Sequence, residues 1–228
     1  MILINRAMKI FLVILLVVAA LVAVSRSAVN LSANPKAQAS GNADPPTKTA
    51  TADEIPITPH PVEPTQNTTP LKLPLVKPRI VVLKSKRQLM LYAGDKVVRT
   101  YRVALGFNPV DDKVRQGDGA TPEGRFYVFT RNDKSNFYLS LGLSYPNEED
   151  AARGLRDGLI TRAQHDRIVK AIRRRVAPPQ NTPLGGEIYI HGHGAGRDWT
   201  AGCVGLENTD MKELFDAIPV GTEVVIEH

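Results

Sequence analysis

The sequence predicts a mainly β domain with a few late helices, held at the end of a long tether, and three observations lead there. From residue 79 on, short runs of β-branched and aromatic residues alternate with turn signals. Ahead of that, ten of the 17 prolines crowd between Pro35 and Pro78, with almost no apolar run among them. Earlier still, residues 10–24 form an uninterrupted apolar stretch. Of the 228 residues, only residues 79–228 therefore have the composition to bury a core, enough for one ordinary domain.

The apolar stretch follows Arg6 and Lys9 and precedes Arg26. Residues 1–27 read as a signal anchor or signal peptide, the anchor being favoured because no small-x-small cleavage pattern stands clear of Arg26. Positive charge ahead of the run keeps the N-terminus cytoplasmic and sends the rest outward. The expected location is the cell envelope, in the periplasm, with residues 10–24 in the inner membrane. Residues 28–78 are rich in Pro, Thr, Asn, Ala and Gln and cannot offset their own ordering entropy, so they read as a disordered linker. Such a linker reaches about 40 Å as a coil and roughly 150 Å as polyproline II.

The formal net charge is +6, and residues 79–228 carry 22 Lys and Arg against 19 Asp and Glu. That is too mild a basic balance for a nucleic-acid binder, and the one basic cluster, Arg173-Arg174-Arg175, reads as a helix C-terminus favoured by the helix dipole. No nucleic-acid partner is expected.

Within the domain, residues 80–83 and 88–92 are strand-like, and Ala93-Gly94-Asp95 turns the chain into a third strand over residues 96–104. Residues 125–130 and 137–144 add two strands, and residues 187–191 and 223–227 complete the set. Thr161 with Gln164 fits a capping box that opens an amphipathic helix through about Arg175, with Ile168, Val169 and Ile172 on its apolar face. A second helix is predicted from near Thr209 to Ala217, capped from within Asn208-Thr209-Asp210, with Met211, Leu214, Phe215 and Ile218 as its stripe and Pro219 and Gly221 ending it. The glycines at 117, 119 and 124 are turn chemistry, no glycine loop cradles a phosphate, and no cofactor is expected.

The chemistry concentrates in residues 188–204, which hold two of the five histidines, the only cysteine and the only tryptophan. A single cysteine in an exported chain has no internal disulfide partner. His191 ends a strand, Gly192 and Gly194 flank His193, and a loop of eleven residues returns the chain to Cys203. A thiol with a pKa near 8.5 is mostly protonated at neutral pH, and a neighbouring imidazolium lowers that value. Gly202 lets backbone amides turn toward a developing oxyanion. A metal site is the competing arrangement, with His191, His193, Asp198 and Cys203 as a tetrahedral set. No second cysteine supports it, and His60 and His165 lie in the linker and on a helix, so no metal is expected.

These residues resemble the signature of the YkuD-type L,D-transpeptidase catalytic domain, a His-Gly followed by Ser/Thr-x-Gly-Cys, here His191-Gly192 and Thr200-Ala201-Gly202-Cys203. The likeness extends over residues 84–89, Val103-Ala104-Leu105-Gly106, Thr121-Pro122-Glu123-Gly124 and residues 220–224. Asp198-Trp199 ahead of the Thr-Ala-Gly-Cys run, with Leu139-Ser140-Leu141 and Tyr145-Pro146, is closest to the branch that carries a helical insert, here residues 147–179. Many relatives follow the cysteine with an apolar residue and Arg, whereas this chain has Val204-Gly205, and its His191 to Cys203 spacing is shorter.

The resemblance implies a YkuD-like β-sandwich with a C-terminal helix packed on the sheet, Cys203 at the mouth of a groove, and the insert as a candidate cover for it. It implies that Cys203 attacks a peptidoglycan tetrapeptide stem and forms a thioester, with His191 as base and acid. Gly192 would orient the imidazole through its carbonyl, and the Gly202 and Cys203 amides would hold the oxyanion, with Thr200 in support. His193, Asp198, Trp199 and Tyr138 are candidates on the substrate side. The acceptor is a stem amine, water or a protein lysine. The alternatives are a related cysteine hydrolase, a zinc hydrolase, or a non-catalytic peptidoglycan-binding protein tethered to the membrane.

Overall fold

β1 (Pro78–Leu83) and β8 (Glu223–Glu227) run parallel in the interior of the sheet, pairing Arg79 with Glu223 through Leu83 with Glu227. Both faces of these strands are covered, which is why their sequences are nearly continuous apolar runs rather than alternating ones. Val81 and Val225 face one way, Ile80, Val82, Val224 and Ile226 the other, and all are buried. The computed structural model describes residues 69–228.

The sheet has eight strands in the order β3-β2-β1-β8-β4-β5-β6-β7. β2 (Gln88–Ala93) pairs antiparallel with β1 and with β3 (Lys96–Arg102), turning Leu89 and Leu91 into the core. β4 (Gly124–Ser135) pairs with β8 through its first residues and with β5 (Tyr138–Leu143) along the rest, and thereby joins the two halves of the sheet. β6 (Tyr189–His191) lies antiparallel to β5 and parallel to the two-residue β7 (Val204–Gly205). Beyond β3 the chain closes on the opposite edge: Ala104 N donates to Gly205 O and Gly205 N to Ala104 O, both at 2.8 Å. The expected sandwich is thus one curled sheet whose halves enclose a shared core.

Three helices complete the domain. α1 (Glu148–Arg156) starts at a capping box in which Asp150 N donates to Asn147 Oδ1 at 2.9 Å and Asn147 N to Asp150 Oδ2 at 3.0 Å. α2 (Arg162–Arg173) carries the expected Thr161 and Gln164 box. Together they enclose a small second core of Ala151, Ile160, Ile168 and Leu184. The arginine cluster that ends α2 is tied to the protein surface, with Arg173 on Glu148, and Arg175 bonded to Gly221 O and lying over the Tyr127 ring. α3 (Asn208–Ala217) buries Met211 and Leu214 in the main core, each contributing about 1.5–3 kcal/mol. Arg99 and Tyr101 of β3 bind Glu213 of α3 and hold it on the sheet.

Several expectations shift. The linker was expected to reach residue 78, but Leu71 and Leu75 pack on the core, Arg99 Nη2 donates to Thr69 O, and Gly94 N donates to Val76 O at 2.9 Å. These proline-flanked residues are an edge of the domain. β4 continues five residues past the expected Thr130, because Arg131 to Ser135 form the mostly exposed arm of a long hairpin whose polar residues carry no strand pattern. α3 has Glu207 as its N-cap with no side-chain bond to the helix's own amides, so Asn208, Thr209 and Asp210 do not cap it. The anchor over residues 1–27 and the linker before residue 69 lie outside the described residues. Among the described residues no helix is long and apolar enough to cross a membrane.

Candidate active site

The parallel pairing of β6 and β7 sets the site. Ile190 opposes Val204 and His191 opposes Gly205, so one step back Tyr189 opposes Cys203, and Cys203 is the diagonal neighbour of His191 on the same face. Tyr189 N donates to Cys203 Sγ at 3.4 Å, and the thiol lies 3.5 Å from Glu187 O, to which it donates. His191 and Cys203 line one cavity of about 360 Å3, together with Tyr189, Glu187, Ser140 and the tip of the β4–β5 hairpin.

His191 is 3% exposed. Its Nδ1 lies 2.7 Å from Gly192 O, and because a carbonyl only accepts, Nδ1 carries the proton and Nε2 is the basic atom of the neutral ring. Phe137 stacks on the imidazole, and Trp199 meets its edge with centroids 5.6 Å apart. Burial holds His191 below the usual imidazole range, and burial pushes the half-buried Cys203 thiol up to about 11. The sequence led us to expect an imidazolium that lowers the thiol's pKa. Burial thus favours neutral thiol and neutral imidazole at rest, because charging either costs desolvation.

The Thr200-Ala201-Gly202-Cys203 turn is fixed by one hydroxyl. Thr200 Oγ1 donates to Cys203 O at 2.7 Å and accepts from Gly202 N at 3.1 Å, a local side-chain turn. The Gly202 N–H is therefore already taken, which departs from the expected pair of oxyanion donors and leaves the Cys203 amide. Gly202 has φ +131°, and a Cβ there would sit 2.7 Å from Ala120 O, so the turn requires glycine.

Asp198 lines neither cavity beside Cys203. Its carboxylate accepts from Arg87 Nε at 3.0 Å and from Leu105 N at 2.8 Å, and it pins the loop to the β1–β2 turn and the chain after β3. Trp199 and His193 line a separate cavity of about 310 Å3, with Gly194, Gly196 and Arg197. Tyr138 is exposed beside Gly192 and lines none of the cavities beside Cys203. The insert contributes no lining residue either, and the cover expected of it is supplied by the β4–β5 hairpin. Among the described residues no group of three or more His, Cys, Asp and Glu could hold a metal ion, so the tetrahedral set of His191, His193, Asp198 and Cys203 is not assembled.

Sequence reasoning missed Phe137, Asn208 and Lys113. Asn208 Oδ1 accepts from His193 N at 2.9 Å, and Glu207 Oε1 from Ala195 N at 2.8 Å, so the start of α3 anchors the loop that presents Gly192 O. A Cβ on Gly192 would lie 2.5 Å from that Asn208 oxygen. The absent cap at α3 is the counterpart of this use. Lys113 lines a second cavity, of about 210 Å3, that also reaches Cys203.

Compared with known proteins, the chain matches the YkuD family model, the L,D-transpeptidase catalytic domain, over residues 77–226. It is 30% identical over 139 residues to the probable L,D-transpeptidase ErfK/SrfK of Salmonella typhimurium, covering 50% of this chain and 45% of that protein. Among solved structures it is similar to an L,D-transpeptidase from Xylanimonas cellulosilytica, at 17% identity and TM-score 0.42 over 70% of this chain and 64% of that one. It is also similar to the helical cell shape determining protein Pgp2 of Campylobacter jejuni, at 19% identity and TM-score 0.46 over 66% of this chain and 47% of that one. The chain therefore spans less than half the length of the curated relative it matches.

Proposed function

Because the chain belongs to the YkuD family of L,D-transpeptidase catalytic domains, we propose that it transfers peptidoglycan tetrapeptide stems through a Cys203 thioester, in the cell envelope. One observation carries this reading: a neutral imidazole with Nδ1 fixed on Gly192 O and the chain's only thiol line one cavity.

In this reading His191 Nε2 takes the Cys203 proton as the sulfur attacks the carbonyl of the third, diamino-acid residue of the stem. The oxyanion rests on the Cys203 amide. The C–N bond to D-alanine then breaks, His191 returns the proton to the leaving amine, and the acyl group stays on sulfur. An amine of a second stem attacks the thioester, His191 takes its proton, and the thiol is regenerated with a 3→3 cross-link formed. Forming the thiolate only when substrate is bound suits a thiol whose resting pKa is raised. Residues 10–24 would retain the domain at the inner membrane, within reach of the wall.

The test is mass spectrometry of tetrapeptide muropeptides incubated with the full chain, as wild type and as Cys203→Ala. Loss of D-alanine by wild type only is expected, with dimers where an amine accepts and bare tripeptides where water does. D-Alanine loss that persists in Cys203→Ala would refute the thioester route, and no loss with either protein would refute the transferase reading for free stems.

A further inference from the structure

The Cys203 sulfur is held by two backbone groups. Tyr189 N donates to Sγ at 3.4 Å, and the thiol donates to Glu187 O at 3.5 Å, so its proton rests on a carbonyl. Tyr189 belongs to β6 and is fixed by its pairing with Gly142 of β5. Glu187 precedes the strand and has φ +56°, a left-handed conformation that strains a residue with a Cβ and lasts only where its neighbours hold it. Its carbonyl is therefore aimed at the sulfur by something other than strand register.

The group that holds it is Gln180. Its Oε1 accepts from Glu187 N at 2.7 Å, while its Nε2 donates to Pro178 O at 2.7 Å and to Tyr145 O at 3.2 Å. The amide oxygen meets the N–H and the amide nitrogen meets the two carbonyls, so the orientation of the side chain is forced. Tyr145 and Pro178 stand at the two feet of the helical insert that contains α1 and α2. Leu184, in the loop between Gln180 and Glu187, packs in the insert's own core with Ala151, Ile160 and Ile168, and its carbonyl accepts from Tyr145 Oη at 2.9 Å. The insert lines neither cavity beside Cys203, yet it is bonded to the loop whose last residue carries the thiol's acceptor.

We propose that Gln180 is a positioning residue for the nucleophile, carrying the hold of the helical insert through the Glu187 peptide to the Cys203 sulfur. The inference rests on Cys203 being the attacking group of the proposed transfer. A carbonyl that accepts from S–H favours the protonated thiol, so this contact keeps the sulfur neutral and in one direction until His191 takes the proton. Gln180 lines neither cavity beside Cys203 and acts without touching substrate.

The experiment uses the full chain as wild type, Gln180→Met, Gln180→Glu and Tyr145→Phe, each read by urea midpoint, by iodoacetamide rate at pH 8 and by D-alanine release from a tetrapeptide stem. Gln180→Met replaces the amide with an apolar chain of similar length and frees the Glu187 peptide. Cys203 should then alkylate about 2–5-fold faster, the scale of one neutral hydrogen bond to the thiol. Its kcat should fall ~10-fold with KM within ~2-fold of wild type. Gln180→Glu keeps an oxygen for Glu187 N, and its negative charge also disfavours a thiolate, so alkylation should be no faster than in wild type. Tyr145→Phe cuts the separate tie to Leu184 O and should lower the urea midpoint with the alkylation rate unchanged. An unchanged rate in Gln180→Met, a faster one in Gln180→Glu, or Tyr145→Phe speeding alkylation as much as Gln180→Met would each overturn the proposal. Absence of D-alanine release by wild type would instead sink the transfer reading, and the alkylation rates would still decide whether Gln180 holds the thiol.

Discussion

Phe137 lies stacked on His191, ring centroids 4.7 Å apart and planes inclined by 27°. The phenyl ring comes from the hairpin between β4 and β5 and keeps water from one face of the base, although Phe137 itself is 43% exposed. The base works only when neutral, so activity is lost as pH falls through its pKa, which burial depresses. The acid limb of kcat/KM is therefore expected below the ordinary histidine range. Phe137→Ala should move that limb to higher pH, and Phe137→Leu should leave it low. An unmoved limb in the alanine variant would show that the stack does not set the base.

Cys203 should alkylate slowly in the resting enzyme. With its thiol pushed up to about 11 by burial, the iodoacetamide rate at pH 7 should fall below that of free cysteine and keep climbing toward pH 11. A rate that has levelled off by pH 7 would mean a preformed thiolate.

Thr200→Val keeps the shape of the side chain but leaves Gly202 N and Cys203 O without their partner. The expected cost is ~1–3 kcal/mol in urea unfolding, with a larger loss in kcat than in KM because the nucleophile's own turn loosens. Thr200→Ser retains the hydroxyl and should recover most of both.

Asp198→Ala removes the acceptor that joins Arg87 to Leu105 N and should cost ~1.5–3 kcal/mol, while Asp198→Asn keeps an oxygen for Leu105 and loses less. If Asp198→Ala instead raised KM with unfolding unchanged, the side chain would be a substrate contact after all.

Asn208→Ala should lower kcat with KM little changed, because it frees the His193 amide and the adjoining Gly192 carbonyl that holds the imidazole. Asn208→Asp preserves the acceptor and should rescue the rate, which a general loss of packing at α3 would not.

How far the sequence could be read follows from where each residue gets its partners. Strands β1 and β8 are evident because both faces are buried and their residues are apolar without interruption. Arg131 to Ser135 of β4 are strand with no pattern, since their side chains meet mostly solvent, and β7 is only two residues long. His191 and Cys203 are conspicuous by residue type, and the register of β6 and β7 brings them together. Lys113 and Phe137 belong to segments far away in the chain, and only the tertiary fold brings them to the cavities beside the thiol. Asp198 stands beside the reactive motif in sequence, and its ion pair with Arg87, 111 residues away, is visible only in the fold.

β8 stands between β1 and β4, and without it the sheet separates into β3-β2-β1 on one side and β4-β5-β6-β7 on the other. It is also the final strand in chain order, pairing with the first across the whole length of the domain. A polypeptide emerging N-terminus first thus holds two unfinished halves with open edges until residues 223–227 arrive. Closure of the sheet therefore rests on residues 223–227, whereas the pairing of β6 with β7 that brings the nucleophile beside its base lies wholly within one half.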